Sequence, residues 1–458
     1  MAKKTKRTNA QNETSAPNNT DRAREVEAAY LVSPGIFLIG SLERGLTVYN
    51  QQVRAHNLIW ALWELQRAGG RPVGRVAVVG GGVAGLTAVA ALLCLFDEKV
   101  TVSFFEERSD LCPLQQGSDH RWLHPRIYDW PTEGSRTPSA SLPVLNWSEG
   151  RASDVARTVT HEFSAYCETF AKPADRLSIY LGLRQFRIDA SSREITWVGN
   201  KATRAGAFFH FGRPEGGATK FDTVIVAAGF GLETQSPDYP TASYWRNEQL
   251  AQPVLDGNQR RYLISGFGDG ALIDLCRLTI ERFRQDTIIY ELFKKSLLEV
   301  EEHFSRKLET AGSDSNIFKM LDDSEPKILR PAREELCKRI RKDVIVTLHL
   351  SGRNDEVKSF PQIFGRNSSF LNRMLTYLLY RCGAFAPDFS TITGAVARHN
   401  VPPANVICRY GANTVEHLLA LFVDPSTVAV RFIDMKKKQD QVPRRLWAPG
   451  LFPQYSQN

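Results

Sequence analysis

From residue 75 to residue 96 the sequence reads Arg75-Val-Ala-Val-Val-Gly-Gly-Gly-Val-Ala-Gly-Leu-Thr-Ala-Val-Ala-Ala-Leu-Leu-Cys-Leu-Phe96, and this stretch is the strongest indication of the fold class. The short apolar run Val76 to Val79 has the length and β-branching of a strand that is buried on both faces. The run from Val83 to Phe96 is rich in Ala and Leu and contains no Pro, so it predicts a helix. A strand, a glycine-rich turn and a helix are therefore expected to follow one another directly.

The turn between them has the spacing G-x-G-x-x-G, with Gly80, Gly82 and Gly85 at the three fixed positions. In this motif the first glycine makes the tight turn, the second lets a pyrophosphate approach the backbone, and the third lets helix and strand pack closely. The free N–H groups at the start of the helix, at Val83 and Ala84, would face the phosphates together with the positive end of the helix dipole. The pattern predicts a phosphate-binding turn.

A second predicted strand, Val100 to Phe105, leads into two adjacent acids, Glu106 and Glu107. The motif requires an acid roughly 20 residues after the glycines to hold a ribose hydroxyl. Alternation along the strand puts Glu106 on the same face as Phe104, so Glu106 is preferred and Glu107 is the alternative. Together, the turn and the acid predict a dinucleotide site.

The composition is that of an ordinary globular protein. The chain has 458 residues, of which 42% are hydrophobic and 24% charged, and this length allows two or three domains. No apolar run reaches the roughly 18 residues that a membrane span needs. The basic N-terminus is not followed by the apolar segment of a secretion signal. We therefore expect a cytoplasmic protein with no membrane partner.

The seven cysteines are dispersed, with no C-x-x-C and no pair of His or Cys residues at metal-ligand spacing. An odd, scattered set is typical of reduced thiols rather than of a disulfide framework. We therefore expect free thiols and no metal site.

The N-terminal tail carries much of the positive charge. The net charge is +8, and the first 24 residues contain six basic and two acidic side chains. The tail is rich in Asn, Thr, Ser and Lys and is expected to be disordered. A solvated extension is the preferred interpretation, and electrostatic binding to nucleic acid or another acidic partner is the alternative.

Two further turns follow the first. A predicted strand that starts at Phe221 ends at Ala228-Gly229, where small residues would let the backbone approach a diphosphate. Later, Gly266-Phe-Gly268-Asp269-Gly270-Ala follows a strand and precedes a helix, and this fits a nucleotide turn with Ala at the third fixed position.

The order of these motifs resembles the two-dinucleotide-binding flavoprotein superfamily, over roughly residues 74 to 285. The resemblance implies FAD held by the first glycine turn and Glu106, and NAD(P)H that delivers hydride to the flavin N5. Two departures stand out. There is no C-x-x-C near the expected flavin, which argues against a disulfide reductase, and Phe-Gly-Asp-Gly is not the usual nucleotide turn.

The long polar and aromatic loop after Glu107 contains Arg121 and His124. In flavoproteins this segment runs along the cofactor, so both residues are candidate partners for the pyrophosphate or the flavin pyrimidine edge. The second glycine turn has two open interpretations. It is either a separate pyridine-nucleotide turn or part of the FAD site, where Asp269 would accept a hydrogen bond from a ribityl hydroxyl.

We predict an α/β fold: a Rossmann-type FAD-binding domain with a small antiparallel β insertion, a second nucleotide-binding-like α/β region, and a largely helical C-terminal half. In chain order the segments are a disordered basic tail, a strand and helix that pack on the nucleotide domain, the FAD domain, the second region and a C-terminal tail: residues 1–28, 29–73, 74–260, 261–435 and 436–458.

The leading hypothesis is an FAD-dependent oxidoreductase, of the NAD(P)H-dependent monooxygenase or reductase type, that acts on a small molecule. The alternative is a non-catalytic dinucleotide-binding sensor or scaffold that engages a protein or nucleic-acid partner. No residue is singled out as a catalytic acid or base, because in this class the reacting atom belongs to the flavin.

Overall fold

A computed structural model describes residues 18–40, 47–205, 208–229, 233–310, 316–350, 357–365, 368–438 and 444–453. The strands in chain order are β1 Leu31–Ser33, β2 Ile36–Leu38, β3 Arg75–Val79, β4 Thr101–Phe105, β5 Trp122–Leu123, β6 Gly150–Arg151, β7 Leu177–Asp189, β8 Glu194–Ala205, β9 Phe208–Lys220, β10 Thr223–Val226, β11 Arg260–Ser265, β12 Val344–His349, β13 Ala386–Asp388 and β14 Val406–Cys408.

The α-helices lie before, between and after these strands in the sequence. In chain order they are α1 Asn19–Tyr30, α2 Val48–Arg67, α3 Val83–Leu95, α4 Ala152–Phe170, α5 Asp269–Thr279, α6 Ile288–Phe293, α7 Leu297–Thr310, α8 Ile317–Ser324, α9 Arg330–Lys338, α10 Phe370–Arg381, α11 Ile392–Arg398, α12 Thr414–Leu419 and α13 Ser426–Lys438. A π-helical turn, Glu325–Leu329, joins α8 to α9.

The larger sheet has the strand order β1-β2-β10-β3-β4-β7-β8-β9. Its central five strands, from β2 to β7, are parallel, and antiparallel pairs extend it at both edges. Helices α1 to α4 cover one face, where Val76 and Val78 point. Helices α12 and α13 cover the other, where Ala77 and Val79 point. Burial on both faces explains why β3 is a continuous apolar run.

The second sheet is parallel throughout, with the order β13-β12-β11-β14. Apolar side chains of α5 to α10 form a core on one face, and α11 contributes to a smaller core on the other. Two α/β units are therefore present, each with a hydrophobic core on both faces of its sheet.

The two units share one strand order. Each unit has four parallel strands that begin, in chain order, with the strand before its glycine turn. In the first unit they are β3, β4, β7 and β10, and in the second they are β11, β12, β13 and β14. In both sheets the first strand lies between the second and the fourth. The order reverses at that point, and in open α/β sheets ligands bind at such a reversal, outside the carboxyl ends of the strands.

Several predicted boundaries differ from the structure. The segment 1–28, expected to be disordered, contains the start of α1, and residues 1–17 lie outside the described part. The predicted antiparallel insertion is the continuation of the large sheet, because the first half of β7 pairs with β4. Helices α12 and α13 lie in or next to the predicted second region, residues 261–435, but they pack on the first sheet.

The expectation of free thiols is wrong for one pair. Cys337 and Cys382 form a disulfide with a Cα–Cα distance of 5.4 Å. They lie 45 residues apart in the sequence, at the ends of α9 and α10, so only the packing of these two helices brings them together. Within the described residues, no helix has the length and apolar character needed to cross a membrane.

The predicted C-terminal tail is partly ordered, because residues 444–453 pack on α2. Asn57 of α2 hydrogen-bonds the carbonyl of Arg444 and the N–H of Leu446, at 2.8 and 3.0 Å. The ring of His56 stacks on Trp447, with centroids 4.9 Å apart. His56 is fully buried, its Nδ1–H donates to the carbonyl of Gln52, and its Nε2 has no hydrogen-bond partner among the described residues.

Burial lowers the pKa of His56 to about 4. The unfolded chain therefore binds a proton between about pH 4 and pH 6.5 that the folded chain excludes, so stability falls as the pH falls through this range. We predict that His56 destabilises the fold by about 2 kcal/mol at pH 5 relative to pH 7. Urea unfolding of wild type and His56→Phe at both pH values measures this, and the same pH dependence in both proteins would contradict it.

Candidate functional site

The first glycine turn lies where the strand order of the larger sheet reverses. Gly80 follows β3 with φ of 110°, a conformation that favours glycine. Its N–H donates to the carbonyl of Phe105 at 2.8 Å. A Cβ added to Gly80 would lie 2.6 Å from the backbone nitrogen of Ala228, so the end of β10 leaves no room for a side chain.

The other two glycines have opposite surroundings. A Cβ on Gly85 would lie 1.9 Å from the carbonyl oxygen of Gly80, so helix α3 packs directly on the turn. Gly82 is the N-cap of α3, in extended backbone, and a Cβ there would have no atom within 4 Å. The same open space surrounds Gly229, after β10. Gly85 is therefore required by packing, whereas Gly82 faces free space.

The start of α3 is the electropositive part of this site. Val83 and Ala84 are its first two residues, and the first-turn N–H groups of a helix have no intrahelical acceptor. The helix has no acidic residue in its first turn and no side-chain cap on Gly82. An anion that approaches Gly82 would meet these donors and the positive end of the helix dipole.

Glu106 lies beside the turn. Its carboxylate accepts hydrogen bonds from the N–H of Gly81 at 2.5 Å and from the N–H of Arg108 at 2.7 Å. The side chain is buried, which raises its pKa, and the two backbone donors partly offset this effect. Each carboxylate oxygen retains acceptor capacity for a hydroxyl donor. Glu107 is exposed, so the geometry favours Glu106 of the two predicted acids.

Arg121 is not placed at the first turn. Its Nη1 donates to Asp274 of α5 at 2.5 Å, its Nε donates to the carbonyl of Tyr244 at 2.6 Å, and its guanidinium stacks on the Tyr244 ring at 3.9 Å. The side chain is 2% exposed. The predicted pyrophosphate ligand therefore belongs to a buried ion network in the second unit.

His124 also has a structural role. Its Nδ1 accepts hydrogen bonds from the N–H groups of Arg126 and Ile127, at 3.1 and 3.0 Å, and so caps a short 3₁₀ helix. Its Nε2 faces Glu149 at 3.4 Å. Burial lowers the pKa of His124, in agreement with a neutral ring that accepts at Nδ1. These contacts explain the position of the His124 ring without a bound cofactor.

The second glycine turn belongs to the second sheet. Gly266 follows β11 with φ of 127°, and Gly268 is the N-cap of α5. Asp269 is turned toward the start of α10, where its Oδ1 accepts from the N–H of Ser369 at 2.8 Å and from the amide of Asn372 at 2.6 Å. Gly270 lies under the ring of Tyr244. The turn is thus separate from the first one.

The buried ion network around Asp274 was not found in the sequence. Asp274 is fully buried and accepts from Arg121 and from Arg409. Burial by itself raises the pKa of Asp274, but the guanidinium groups of Arg121 and Arg409 outweigh it and lower the pKa to about 2. Its charged members come from four separate parts of the chain, and they are Arg121, Glu233, Glu248, Asp274, Arg277 and Arg409. No local pattern marks such a set.

Comparison of the chain with protein-family models gives no match. Comparison with curated proteins gives none either.

The contrast between Gly85 and Gly82 can be tested by unfolding. We predict that Gly85→Ala destabilises the protein by about 3 kcal/mol, because the new methyl group would overlap the Gly80 carbonyl oxygen. Gly82→Ala should cost less than about 1 kcal/mol, since its Cβ has free space and Ala is only a poorer N-cap than Gly. Equal losses in urea unfolding would contradict this assignment of roles.

The stabilising role of the ion network can be tested with two variants of helix α5, one at Asp274 and one at Asp269. Asp274→Asn should destabilise the protein by about 3 to 5 kcal/mol, because it removes one of the three carboxylates that balance three buried arginines. Asp269→Asn is the control: the hydrogen bonds from the N–H of Ser369 and the amide of Asn372 end on one oxygen, which an amide can supply, so the loss should stay within about 1 kcal/mol. Denaturant titrations compare the two. A loss for Asp274→Asn as small as that of the control would contradict the network.

Proposed function

We propose that this protein is an FAD-dependent oxidoreductase that acts on a small molecule, with the ADP half of the FAD on the turn Gly80–Gly85. In this proposal the first unit is a Rossmann-type domain. The N–H groups of Val83 and Ala84 bind the pyrophosphate, and the carboxylate of Glu106 accepts hydrogen bonds from the ribose hydroxyls.

The observation that carries the proposal is the position of Glu106. It follows the second parallel strand of the unit and is held within 2.5 Å of the N–H of Gly81. In dinucleotide-binding folds the ribose acid occupies this position, next to a glycine turn where the strand order reverses. Besides its two backbone hydrogen bonds, the Glu106 carboxylate keeps acceptor capacity for a ribose hydroxyl.

The surroundings of the turn fit a bound dinucleotide. Gly82 and Gly229 both have open space in the direction of an added Cβ, so a ligand can reach the backbone of the turn. Ala227 and Ala228, at the end of β10, are small and supply no charge that would repel a pyrophosphate. These features support binding of a phosphate-containing ligand between β3 and β10.

The flavin half would extend toward the second unit. The segments that follow β10 and β14 meet, since the N–H of Thr234 donates to the carbonyl of Gly411 at 2.8 Å. The loop after β4 reaches α5 through Arg121. The carboxyl ends of both sheets therefore border one interface, and interfaces between units are common ligand sites. The flavin supplies the redox chemistry there, and the chain supplies position and exclusion of solvent.

Variants of the first turn test the proposal. Gly82→Ala should weaken FAD binding at least about tenfold, because its methyl group would occupy the path of the pyrophosphate. Glu106→Gln should weaken binding by about ten- to a hundredfold, through loss of charge-assisted hydrogen bonds to the ribose. The measurement is titration of the cofactor-free protein with FAD, followed by flavin fluorescence.

Glu107→Gln is the matched control for Glu106→Gln, because it removes the same charge from the exposed neighbouring position. Its FAD affinity should equal that of the wild type. Equal losses in the two glutamine variants would indicate a general electrostatic effect. Unchanged affinity in both Gly82→Ala and Glu106→Gln would contradict an FAD site at this turn.

A binding role without catalysis is the second candidate. It is favoured by the fact that Arg121, His124 and Asp269 all make structural contacts and none is free to act on a substrate. A sensor of this kind would bind FAD with the same dependence on Gly82 and Glu106. Reduction of the bound flavin by a panel of small-molecule donors under anaerobic conditions separates the two roles, and flavin bleaching by any of them contradicts the sensor.

A further inference from the structure

The two glycine turns have the same backbone geometry. The N–H of Gly80 donates to Phe105, the last residue of β4, and the N–H of Gly266 donates to His349, the last residue of β12. The N-caps agree as well: Gly82 has φ −75° and ψ 177°, and Gly268 has φ −77° and ψ 175°. The units can therefore be compared position by position.

The position of the ribose acid differs. In the first unit Glu106 follows the last residue of β4. In the second unit the residue that follows the last residue of β12 is Leu350, which is buried in the apolar core. Leucine offers no acceptor to a ribose hydroxyl. The second unit therefore lacks, at this position, the group that would hold a nucleotide.

The wall of the crevice differs too. The N–H of Ala227 donates to Val79 in the first unit, and the N–H of Arg409 donates to Ser265 in the second, both at 2.8 Å. Arg409 therefore replaces Ala227. Its guanidinium is almost completely buried and donates to Asp274 at 2.8 Å, so it fills space that the alanine leaves open.

The third difference is an aromatic ring in the crevice. A Cβ on Gly270, in the first turn of α5, would lie 3.3 Å from the ring of Tyr244. The guanidinium of Arg121 stacks on this ring at 3.9 Å, and Arg409 donates to the carbonyl of Ala242 at 2.7 Å. The ring thus covers the second residue of α5, whereas a Cβ on the N-cap Gly268 would have no atom within 4 Å, as at Gly82.

Polar contacts hold this segment in place. The amide of Asn247 accepts from the N–H of Asp119 at 2.9 Å and donates to the carbonyl of Gly117 at 2.7 Å. Glu248 pairs with Arg277. The three arginines of the ion network are matched by three carboxylates, so none of them provides uncompensated charge for a phosphate.

We infer that Tyr244, held in the segment 233–248, covers the start of α5 and so excludes a dinucleotide from the second glycine turn. The chain then binds one dinucleotide, on the first turn, and NADH and NADPH have no site on the second. The number of one dinucleotide per chain rests on the proposed function. The exclusion of a dinucleotide from the second turn does not rest on it.

Calorimetric titration of the purified full-length protein with NADH and NADPH tests the inference. We expect no saturable binding at nucleotide concentrations up to the order of 1 mM, both in the wild type and in Gly268→Ala. Binding to the wild type that Gly268→Ala weakens would overturn the inference, because the methyl group lies on the second turn only. Binding that Gly82→Ala weakens and Gly268→Ala does not would support it and count instead against FAD on the first turn.

The role of the ring is tested by hydrogen exchange. Tyr244→Ala removes the stacking on Arg121, and Tyr244→Phe retains a ring of the same shape. We expect the amides of residues 233–248 to exchange at least about tenfold faster in Tyr244→Ala than in Tyr244→Phe, since the segment opens locally without its aromatic anchor. Equal exchange in the two variants would overturn Tyr244 as the residue that holds the segment in the crevice, whether or not the protein carries flavin.

Discussion

The carboxyl ends of β3 and β10 approach so closely that residue 80 has no space for a side chain. A Cβ there would lie 2.6 Å from the nitrogen of Ala228, and one on Gly85 would lie 1.9 Å from the carbonyl oxygen of Gly80. The close packing of α3 against the turn and the position of Gly82 beside the crevice depend on these contacts. Glycine is needed because the chain must turn in a left-handed conformation within that space.

In the second unit Gly266 likewise has no space for a side chain, and the strand order is the same. The side chains that line the crevice differ. Leu350 stands where Glu106 stands in the first unit, and Arg409 stands where Ala227 stands. The first unit thus has a crevice with a buried acid beside it, and in the second unit the ring of Tyr244 covers the start of α5. The backbone allows a ligand site in both units, whereas the side chains favour one only in the first.

Local features of the fold could be predicted from the sequence. The strand, turn and helix around Gly80 follow from composition and spacing within about twenty residues, and strand alternation placed Glu106 rather than Glu107 beside the turn. Arg121 could not be placed, because its partner Asp274 lies 153 residues away. The strand that ends at His349 was not linked to the second turn, since helices α5 to α9 intervene between the two strands.

FAD on the first turn can be identified by denaturing the purified protein, after incubation with FAD and removal of the excess, and measuring the mass and absorbance spectrum of the released molecule. We expect one FAD per chain and no pyridine nucleotide. Release of NAD(H) in place of FAD, or of no nucleotide at all, would contradict it.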